Sequence, residues 1–392
     1  MFRSRKFAGR MLMLLALFLV PSLACGLSVS LDSPTPETRI EKVTQIYPIT
    51  QIVPVTQIVP ITPIPTITLT PTLTPVVIDD HLGPGWQKQS PALAPSPRKQ
   101  TGFVYDALRG VIVAVGGTDW VVASGETWEY NGANWALRED VQPLPGLLGA
   151  AVAYDSDRQV TVLFGGSGLG DNEFFNKTWE YNGLKWVQGT QAHAPSPRNG
   201  AAMAYNPTRQ SMLLFGGYYR WGPTRFFDDT WEYVDSEWVQ RFPAHHPTAR
   251  ESAHMVYDSA RRTLVMFGGG HDAGSVDFNE TWEWTGEDWI QRTNLPASPP
   301  ARWAVSMAYD EECQRVFLFG GLTGLTGQFN DTWTYNGKTW TQVETTWQPL
   351  ARWDGGLAYD RRNHRFVLFG GQYWNGQFGF LNDTWHYAAP CR

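Results

Sequence analysis

The stretch SMAYDEECQRVFLFGGLTGLTGQFNDTWTYNGKTW, residues 306–340, contains every element of a unit that occurs six times in this chain. The unit has a Tyr-Asp pair at Tyr309, a Gly-Gly pair that begins at Gly320 after an apolar run, and a Thr-Trp pair that begins at Thr332. The first glycines of the six Gly-Gly pairs, spaced 49 to 52 residues apart, are Gly116, Gly165, Gly216, Gly268, Gly320 and Gly370. A repeat of about 50 residues indicates a circular array of small sheets.

Each unit predicts four short strands, which we call A to D. Strand A ends at the Tyr-Asp pair, whose acid or amide suits the first position of a tight turn, and strand B runs to the Gly-Gly pair. Strand B is apolar almost without alternation, as in Val316–Phe319, which is typical of a strand buried on both faces. Strand C carries the Thr-Trp pair, and two-residue turns such as Asn336-Gly337 lead into strand D, which begins with another Trp.

These motifs resemble the kelch family, which includes propellers like that of galactose oxidase, over residues 81–392. The resemblance implies an all-β fold with six blades around a central channel. The last unit has no strand D of its own, whereas Trp86 lies 49 residues before the strand D residue Trp135. We therefore predict that an N-terminal strand completes the sixth blade and closes the ring without free edges.

The first 80 residues predict export and tethering rather than a folded domain. Residues 1–24 combine a basic start with the apolar run Met11–Val20, which is too short for a permanent membrane span, so we interpret them as a signal peptide. The residues before Cys25 resemble a bacterial lipobox, which implies a lipid anchor on the outer face of the bacterial membrane. Simple cleavage and secretion is the alternative. Residues 25–80 are rich in Pro and Thr, which favours a disordered, extended stalk, although a β-prone segment interrupted by Pro is also open.

The composition narrows the classes of partner. Charged residues make up only 17% of the chain and the net charge is −6. Nucleic-acid binding needs a basic stripe that this chain lacks, so we predict no nucleic-acid partner, and membrane contact only through the anchor. We predict a monomer without a cofactor.

Loop residues that suggest a metal site are His245, His246, His271 and Asp272. Paired loop histidines are usually only solvated, so we predict no metal.

Six tryptophans are not explained by the repeat. They fall in B-to-C loops, in D-to-A loops or at the start of strand A, and these places share one face of the ring: Trp120, Trp221, Trp303, Trp347, Trp353 and Trp374. Five of them belong to units 5, 6 and 1, together with Tyr373, Phe378 and Phe380. An exposed aromatic cluster suits stacking on a sugar ring or a protein hot spot. The alternative is that the rings pack loops onto the blades.

An arginine recurs seven residues before the strand A Tyr in five units, at Arg98, Arg198, Arg250, Arg302 and Arg352, whereas unit 2 has Leu147. We include Arg98, Arg302 and Arg352 among the candidate ligand-binding residues, because paired arginine donors suit a carboxylate or sulfate. The alternative is a structural role in the repeat. Glu251 and Asp354, next to two of these arginines, are candidates for a general acid and base, and a salt-bridged rim explains them equally well.

Cys313 and Cys391 form an even pair in an exported protein and are candidates for a disulfide.

The function predicted from the signal peptide, the stalk and the aromatic face is a surface-tethered binding module that recognises a glycan or a protein. One alternative is a secreted kelch enzyme acting on a sugar, similar in fold to a sialic acid mutarotase. A copper radical oxidase is disfavoured, because both cysteines are predicted at the end away from the aromatic face. An architectural envelope protein is the other alternative.

Overall fold

The computed structural model describes residues 85–170, 173–220, 222–271, 275–388 and 391, and every regular element in these ranges is a β-strand. Six four-stranded antiparallel sheets form the blades of a propeller. The all-β, six-bladed prediction is therefore confirmed. The predicted signal peptide and stalk, Cys25, Trp221 and Asp272 lie outside the described residues.

The strands of blades 1 to 6 follow the order expected from the repeat. Strand A comprises Gly102–Asp106, Ala151–Asp155, Ala202–Asn206, His254–Asp258, Ser306–Asp310 and Gly356–Asp360. Strand B comprises Val111–Val115, Val160–Phe164, Ser211–Phe215, Thr263–Phe267, Arg315–Phe319 and Arg365–Phe369. Strand C comprises Thr127–Tyr130, Thr178–Tyr181, Thr230–Val234, Thr281–Trp284, Thr332–Tyr335 and Thr384–Tyr387. Strand D comprises Trp135–Leu137, Trp186–Gln188, Glu237–Arg241, Trp289–Gln291, Trp340–Val343 and Trp86–Gln89.

The B-to-C loops of blades 3 to 6 each add a small two-stranded hairpin. The paired strands are Tyr218–Arg220 with Thr224–Phe226, Gly270–His271 with Val276–Asp277, Leu322–Thr323 with Gly327–Gln328, and Gln372–Trp374 with Phe378–Phe380. Neighbouring hairpins are joined through side chains. Asp277 Oδ2 accepts the Thr323 hydroxyl, and Gln328 Nε2 donates to the Trp374 carbonyl. The hairpins therefore form a layer on one end of the ring, which we call the loop face.

The N-terminal strand closes the ring as predicted. Trp86–Gln89 pairs antiparallel with Thr384–Tyr387, so the first described strand is the outermost strand of blade 6. The Trp86 indole N–H also donates to the Thr332 hydroxyl of blade 5 at 3.1 Å. Because the two ends of the folded chain share one sheet, neither end leaves an unpaired blade.

A hydrogen bond from the first Trp of strand D crosses every boundary between blades. Its buried indole N–H donates to the hydroxyl of the Thr-Trp pair in the preceding blade, over 2.8 to 3.1 Å. The six pairs are Trp86–Thr332, Trp135–Thr384, Trp186–Thr127, Trp238–Thr178, Trp289–Thr230 and Trp340–Thr281. The invariant Thr of the repeat thus provides the acceptor that a buried indole requires.

The Gly-Gly pair allows adjacent blades to approach closely. At Gly320, φ is +68° and an added Cβ would lie 2.5 Å from the carbonyl oxygen of Arg352 in the next blade. The N–H of the second glycine, Gly321, donates to that same carbonyl at 2.9 Å. The corresponding bond occurs at all six boundaries, over 2.8 to 3.1 Å. Only glycine satisfies both the backbone conformation and the close approach.

The A-to-B turns confirm the role assigned to the acid or amide after the strand A Tyr. Asp106 Oδ1 accepts the backbone N–H of Arg109 three residues later, and Asp310 Oδ1 accepts that of Cys313.

The structure also joins Cys313 to Cys391 in a disulfide with a Cα–Cα distance of 4.9 Å. Within the described ranges, no helix has the length and apolar character needed to cross a membrane.

Candidate functional site

The first residues of strand A surround the upper end of a central channel on the loop face. A cavity of about 130 Å³ here is lined by residues from all six blades, and a second of about 350 Å³ lies at the opposite end, among the strand A tyrosines. Strand A is an edge strand in every sheet. Its unpaired backbone groups face the channel, whose lining also includes apolar side chains such as Met203, Met255 and Leu357.

The upper end of the channel narrows at a closed ring of backbone hydrogen bonds, which we call the collar. Each N–H donates to the carbonyl of the preceding blade over 2.7 to 3.1 Å. Its members are Gln100, Gly149, Gly200, Ser252, Ala304 and Asp354. All six have φ between +52° and +67°, a region that costs non-glycine residues energy. The ring of bonds holds them there and fixes the direction of the Asp354 and Ser252 side chains.

The repeated arginines lie beneath the loop face with their donors occupied. They are 0 to 4% exposed. Arg302 represents the set: Nη1 donates to the Gly320 carbonyl at 3.1 Å, Nε donates to the Pro300 carbonyl, and the guanidinium pairs with Asp331 at 2.5 Å. The pairs in the other blades are Arg98–Glu126, Arg198–Asp229, Arg250–Glu280 and Arg352–Asp383. These contacts support the structural alternative for Arg98, Arg302 and Arg352 rather than ligand binding.

The residue directly after the arginine position differs among blades 1 to 5, and blades 5 and 6 share Trp. These residues are Lys99, Leu148, Asn199, Glu251, Trp303 and Trp353. Each pairs through its backbone with the residue that follows the Gly-Gly pair of its own blade, as Glu251 does with Gly270. Together with the collar they form the mouth of the channel. The backbone of the mouth therefore repeats in all six blades, whereas its side chains differ around the ring.

Lys99 and Asp354 form an ion pair at the mouth between blades 1 and 6. Lys99 Nζ lies 3.5 Å from Asp354 Oδ2 and 5.1 Å from the centroid of the Trp120 ring, so the ammonium group touches both a carboxylate and an aromatic face. Burial raises the pKa of Asp354, and Lys99 opposes that shift. Asp354 Oδ2 accepts no hydrogen bond from the described residues.

Glu251 lies on the blade 4 side of the same mouth. Burial, reinforced by the nearby charge of Asp354, raises the pKa of Glu251 to about 8, while Arg220 and Lys99 act in the opposite direction. Burial and the charge of Glu251 also raise the pKa of Tyr218. With its pKa raised to about 8, Glu251 is largely protonated near neutral pH. Burial raises the pKa of the Asp354 carboxyl group as well, so two carboxyl groups of raised pKa belong to one mouth.

A contiguous aromatic surface borders the mouth on blades 6 and 1. Phe378 is its centre: its ring centroid lies 4.6 Å from Trp374, 5.0 Å from Trp120 and 6.3 Å from Trp353. Trp120 is 47% exposed and Phe378 45%, whereas Trp353 is only 3% exposed. The structure thus unites three of the predicted tryptophans, but Trp353 supports the surface from beneath, as the packing alternative expected.

Three other predicted aromatic residues lie apart from this centre. Trp303 is half-buried and packs near Trp353 and Leu322, and none of the described residues accepts a hydrogen bond from its indole N–H. Tyr373 lines a groove between the hairpins of blades 5 and 6. Trp347 is 75% exposed on the outer rim, where its carbonyl accepts the Trp86 N–H, and no ring contact connects it to the cluster within the described ranges.

The loop histidines do not gather into one cluster. His245 Nδ1 lies 2.7 Å from Asp288 Oδ2, and His246 Nδ1 lies 4.0 Å from Asp228 Oδ2. Within the described residues, three metal-ligating side chains come together only at Asp310, Cys313 and Cys391, where the two thiols are joined to each other. A further histidine, His254, lines the channel, and burial lowers its pKa to about 4.

Sequence reasoning missed the collar, Lys99 and the aromatic residues on the other side of the mouth. Phe174 of blade 2 packs edge-on against Tyr218 and Tyr219 of blade 3, with centroids 5.5 and 5.2 Å apart. A signal was present in the alignment of the six units. The position after the repeated arginine is different in each of the first five units, and the Tyr218-Tyr219 pair directly follows a Gly-Gly pair.

Comparison with known proteins supports the fold. No protein-family model matches the chain, and no curated protein does. Among solved structures, the chain described as "Structure of YjhT" matches with a TM-score of 0.57 at 15% identity, over 74% of this chain and 95% of that chain. A likeness at this identity shows a shared propeller fold and nothing about activity. Membership of the kelch family stays a prediction.

Proposed function

We propose that this protein is an exported, membrane-tethered binding module that captures a glycan at the mouth of its propeller. The observation that carries the proposal is the half-exposed aromatic surface of Trp120, Phe378 and Trp374 beside the polar groups of Lys99 and Asp354. Sugar rings present apolar C–H faces and polar edges. Exposed aromatic rings next to fixed donors and acceptors match both features.

The rigidity of the mouth favours recognition of a small rigid epitope. The collar fixes Asp354 and Ser252 through backbone bonds, and the Gly-Gly boundaries hold the blades that carry Lys99 and Glu251. A site whose groups are already in position loses little conformational entropy when a ligand binds. The lipid anchor at Cys25 and the stalk up to residue 80 complete the proposal, because they would hold this mouth away from the membrane surface.

The test is saturation-transfer NMR on the full-length protein with a panel of neutral and acidic oligosaccharides. Transfer to sugars that remain chemically unchanged is the expected result. Trp120→Ala and Phe378→Ala should each weaken binding about 10-fold or more, because each removes a stacking face worth on the order of 1.4 kcal/mol. Phe242→Ala is the matched control, since Phe242 is 84% exposed but follows strand D of blade 3.

Silence across the whole panel would contradict the glycan proposal. A protein ligand would then be the remaining binding function for the same aromatic surface, and a pull-down with wild-type protein and Trp120→Ala would compare the captured proteins. Equal losses in the Phe242→Ala control would also count against the mouth, because they would indicate that binding does not depend on these rings.

An enzyme that acts on a sugar is the second candidate, and the pKa of Glu251, raised to about 8, is the observation that favours it. Glu251, protonated near neutral pH, would be the proton donor, and the Asp354 carboxyl group, paired with Lys99 at the same mouth, would be the partner that general acid–base chemistry requires. Faster exchange between the anomers of a bound sugar, seen in the same NMR spectra, would support this candidate. Glu251→Gln should abolish that exchange while binding persists.

A further inference from the structure

A groove separate from the channel mouth lies between the hairpins of blades 5 and 6. Its volume is about 420 Å³, within the range of about 300–1,000 Å³ typical of small-molecule sites. The lining residues are Gln328, Asn330, Gln348, Pro349, Leu350, Ala351, Tyr373, Trp374 and Asn375. Trp374 forms the wall between this groove and the mouth, because it also packs against Phe378 at 4.6 Å.

The lining combines two aromatic rings with four carboxamide side chains and carries no charged residue. A carboxamide offers two donors and one acceptor in a plane, which suits the hydroxyl groups of a sugar because each hydroxyl both donates and accepts. Tyr373 and Trp374 add the apolar faces on which a pyranose ring stacks. A charged ligand would find no counter-ion here and would lose its hydration on entry.

One of the four carboxamides is already committed to the scaffold. Gln328 Nε2 donates to the Trp374 carbonyl at 2.6 Å, and Gln328 Oε1 accepts the Trp374 N–H at 2.9 Å. This two-point bond fixes the spacing of the two hairpins. Among the described residues no side-chain hydrogen bond engages Asn330 or Asn375. Gln348 has only a long contact of 3.4 Å from the Thr345 hydroxyl to its Oε1. Three carboxamides are therefore free to bind a ligand in a groove of fixed width.

We propose that this groove is a second carbohydrate subsite, which takes an uncharged sugar ring of an oligosaccharide whose other end occupies the mouth. The proposal rests on the glycan function proposed above. Because Trp374 lies between the two sites, a continuous chain of sugars can pass from one to the other across its ring. The mouth carries the ion pair of Lys99 and Asp354, whereas the lining of the groove carries no charged residue, so the groove takes an uncharged part of the ligand.

The experiment uses the full-length protein and three neutral trisaccharides, namely cellotriose, maltotriose and triacetylchitotriose, beside their monosaccharides glucose and N-acetylglucosamine. The double variant Gln348→Ala/Asn375→Ala removes two of the free amides. Both side chains are exposed, so the thermal unfolding midpoint should not change. Trp120→Ala, which alters the mouth alone, is the comparison variant. Dissociation constants come from titration calorimetry.

The expected result is that the double variant weakens a trisaccharide about 10-fold and leaves its monosaccharide unchanged, whereas Trp120→Ala weakens both. That loss corresponds to about 1.4 kcal/mol. If Trp120→Ala weakens the trisaccharide and the double variant does not, the subsite is wrong and the glycan function stands. If the double variant weakens the monosaccharide equally, a separate subsite is also wrong. If none of these five sugars binds the wild type, the subsite is wrong, and the wider panel of neutral and acidic oligosaccharides then decides the glycan function.

Discussion

Two neighbouring positions on the loop face behave in opposite ways. The first is the arginine position, which five blades fill with the same buried side chain, each making the same bond to a glycine carbonyl over 2.9 to 3.1 Å. The second is the next residue along the chain, at the mouth, which no two of the first four blades share. The arginine position holds the blade, and the next position gives the mouth its chemical variety. The repeated residues therefore maintain the frame, whereas the ligand-binding candidates Lys99 and Glu251 come from the position that varies.

Blade 2 shows that the arginine position depends on its partner. Leu147 replaces the arginine there, and Lys177 stands where the other blades have the acid that binds it. Leu147 is buried and Lys177 is exposed, so neither leaves an unpaired charge in the interior. Leu147 alone would leave the acid without its arginine, and Lys177 alone would leave the buried arginine without its acid. Both changes therefore occur together.

The largest expected effect tests whether the arginine position belongs to the frame. Arg302→Ala leaves Asp331 without its cation and the Gly320 carbonyl without its donor. Breaking such a buried pair costs about 3–5 kcal/mol, so the urea midpoint should fall sharply. Arg302→Leu with Asp331→Lys reproduces blade 2 and should recover more than half of the loss.

A loss below about 1 kcal/mol in Arg302→Ala would contradict this frame role. A ligand-binding role would then become the better explanation, and Arg302→Ala should in that case weaken oligosaccharide binding while the unfolding midpoint stays constant. A double variant no more stable than Arg302→Ala would instead contradict the pairing argument drawn from blade 2.

The second effect concerns the boundary that the glycines permit. Gly320→Ala would place a Cβ 2.5 Å from the Arg352 carbonyl at φ +68°, and crowding plus backbone strain predict a loss of about 2–4 kcal/mol. Gly376→Ala is the control: its φ is +101°, but nothing lies within 4 Å of the added Cβ. Thermal unfolding should separate the two variants. Equal shifts would mean that strain alone, and not blade approach, explains the conserved pair within this chain.

The frame could be predicted from the sequence because its signals repeat. The 49-residue offset between Trp86 and Trp135 located the closing strand, and the structure pairs Trp86–Gln89 with the last strand C. The partner of each strand D indole was not predictable in the same way. Trp340 donates to Thr281, 59 residues earlier in the chain, and only the angle between adjacent blades brings them together.

The third effect tests that indole bond. Thr281→Val keeps the shape of the side chain but removes the acceptor of the buried Trp340 N–H, which should cost about 1–2 kcal/mol. Thr341→Val is the matched control, because Thr341 is exposed on strand D of blade 5 and should change stability by about 0.5 kcal/mol or less. Urea unfolding of both variants provides the comparison. A Thr281→Val protein as stable as the control would show that the indole finds another partner.

The mouth resisted prediction for physical reasons. Its shape depends on four non-glycine residues with positive φ, Gln100, Ser252, Ala304 and Asp354, and no local pattern marks them. They are held by bonds that exist only once six blades have closed the ring. The sequence also could not predict which tryptophans are exposed. Trp353 is buried beneath the hairpin that carries Phe378, whereas Trp120 remains about half exposed.

The smallest expected effect is the loss of folding stability when Glu251 ionises at the mouth. The folded pKa of Glu251 is about 8, above the value of about 4.3 for an unfolded chain, so the folded state holds a proton that the unfolded state has lost. The stability that Glu251 contributes is fully present below about pH 4.3 and is lost as the pH rises through 8. His254, with a pKa lowered to about 4, has the opposite effect, but only below about pH 6.5.

The window between pH 6.5 and 8.5 contains the titration of Glu251 and avoids that of His254. The wild type should lose about 1 kcal/mol over this window, a value reduced from the full linkage estimate because the side chain retains some contact with solvent. Glu251→Gln should flatten the curve, and urea midpoints at both pH values measure the difference. Equal slopes in the two proteins would place the ionisation elsewhere. If the stability of Glu251→Gln does not change over this window, the loss in the wild type comes from the ionisation of Glu251. The mouth then holds a protonated acid whose ionisation lowers the stability of the folded propeller.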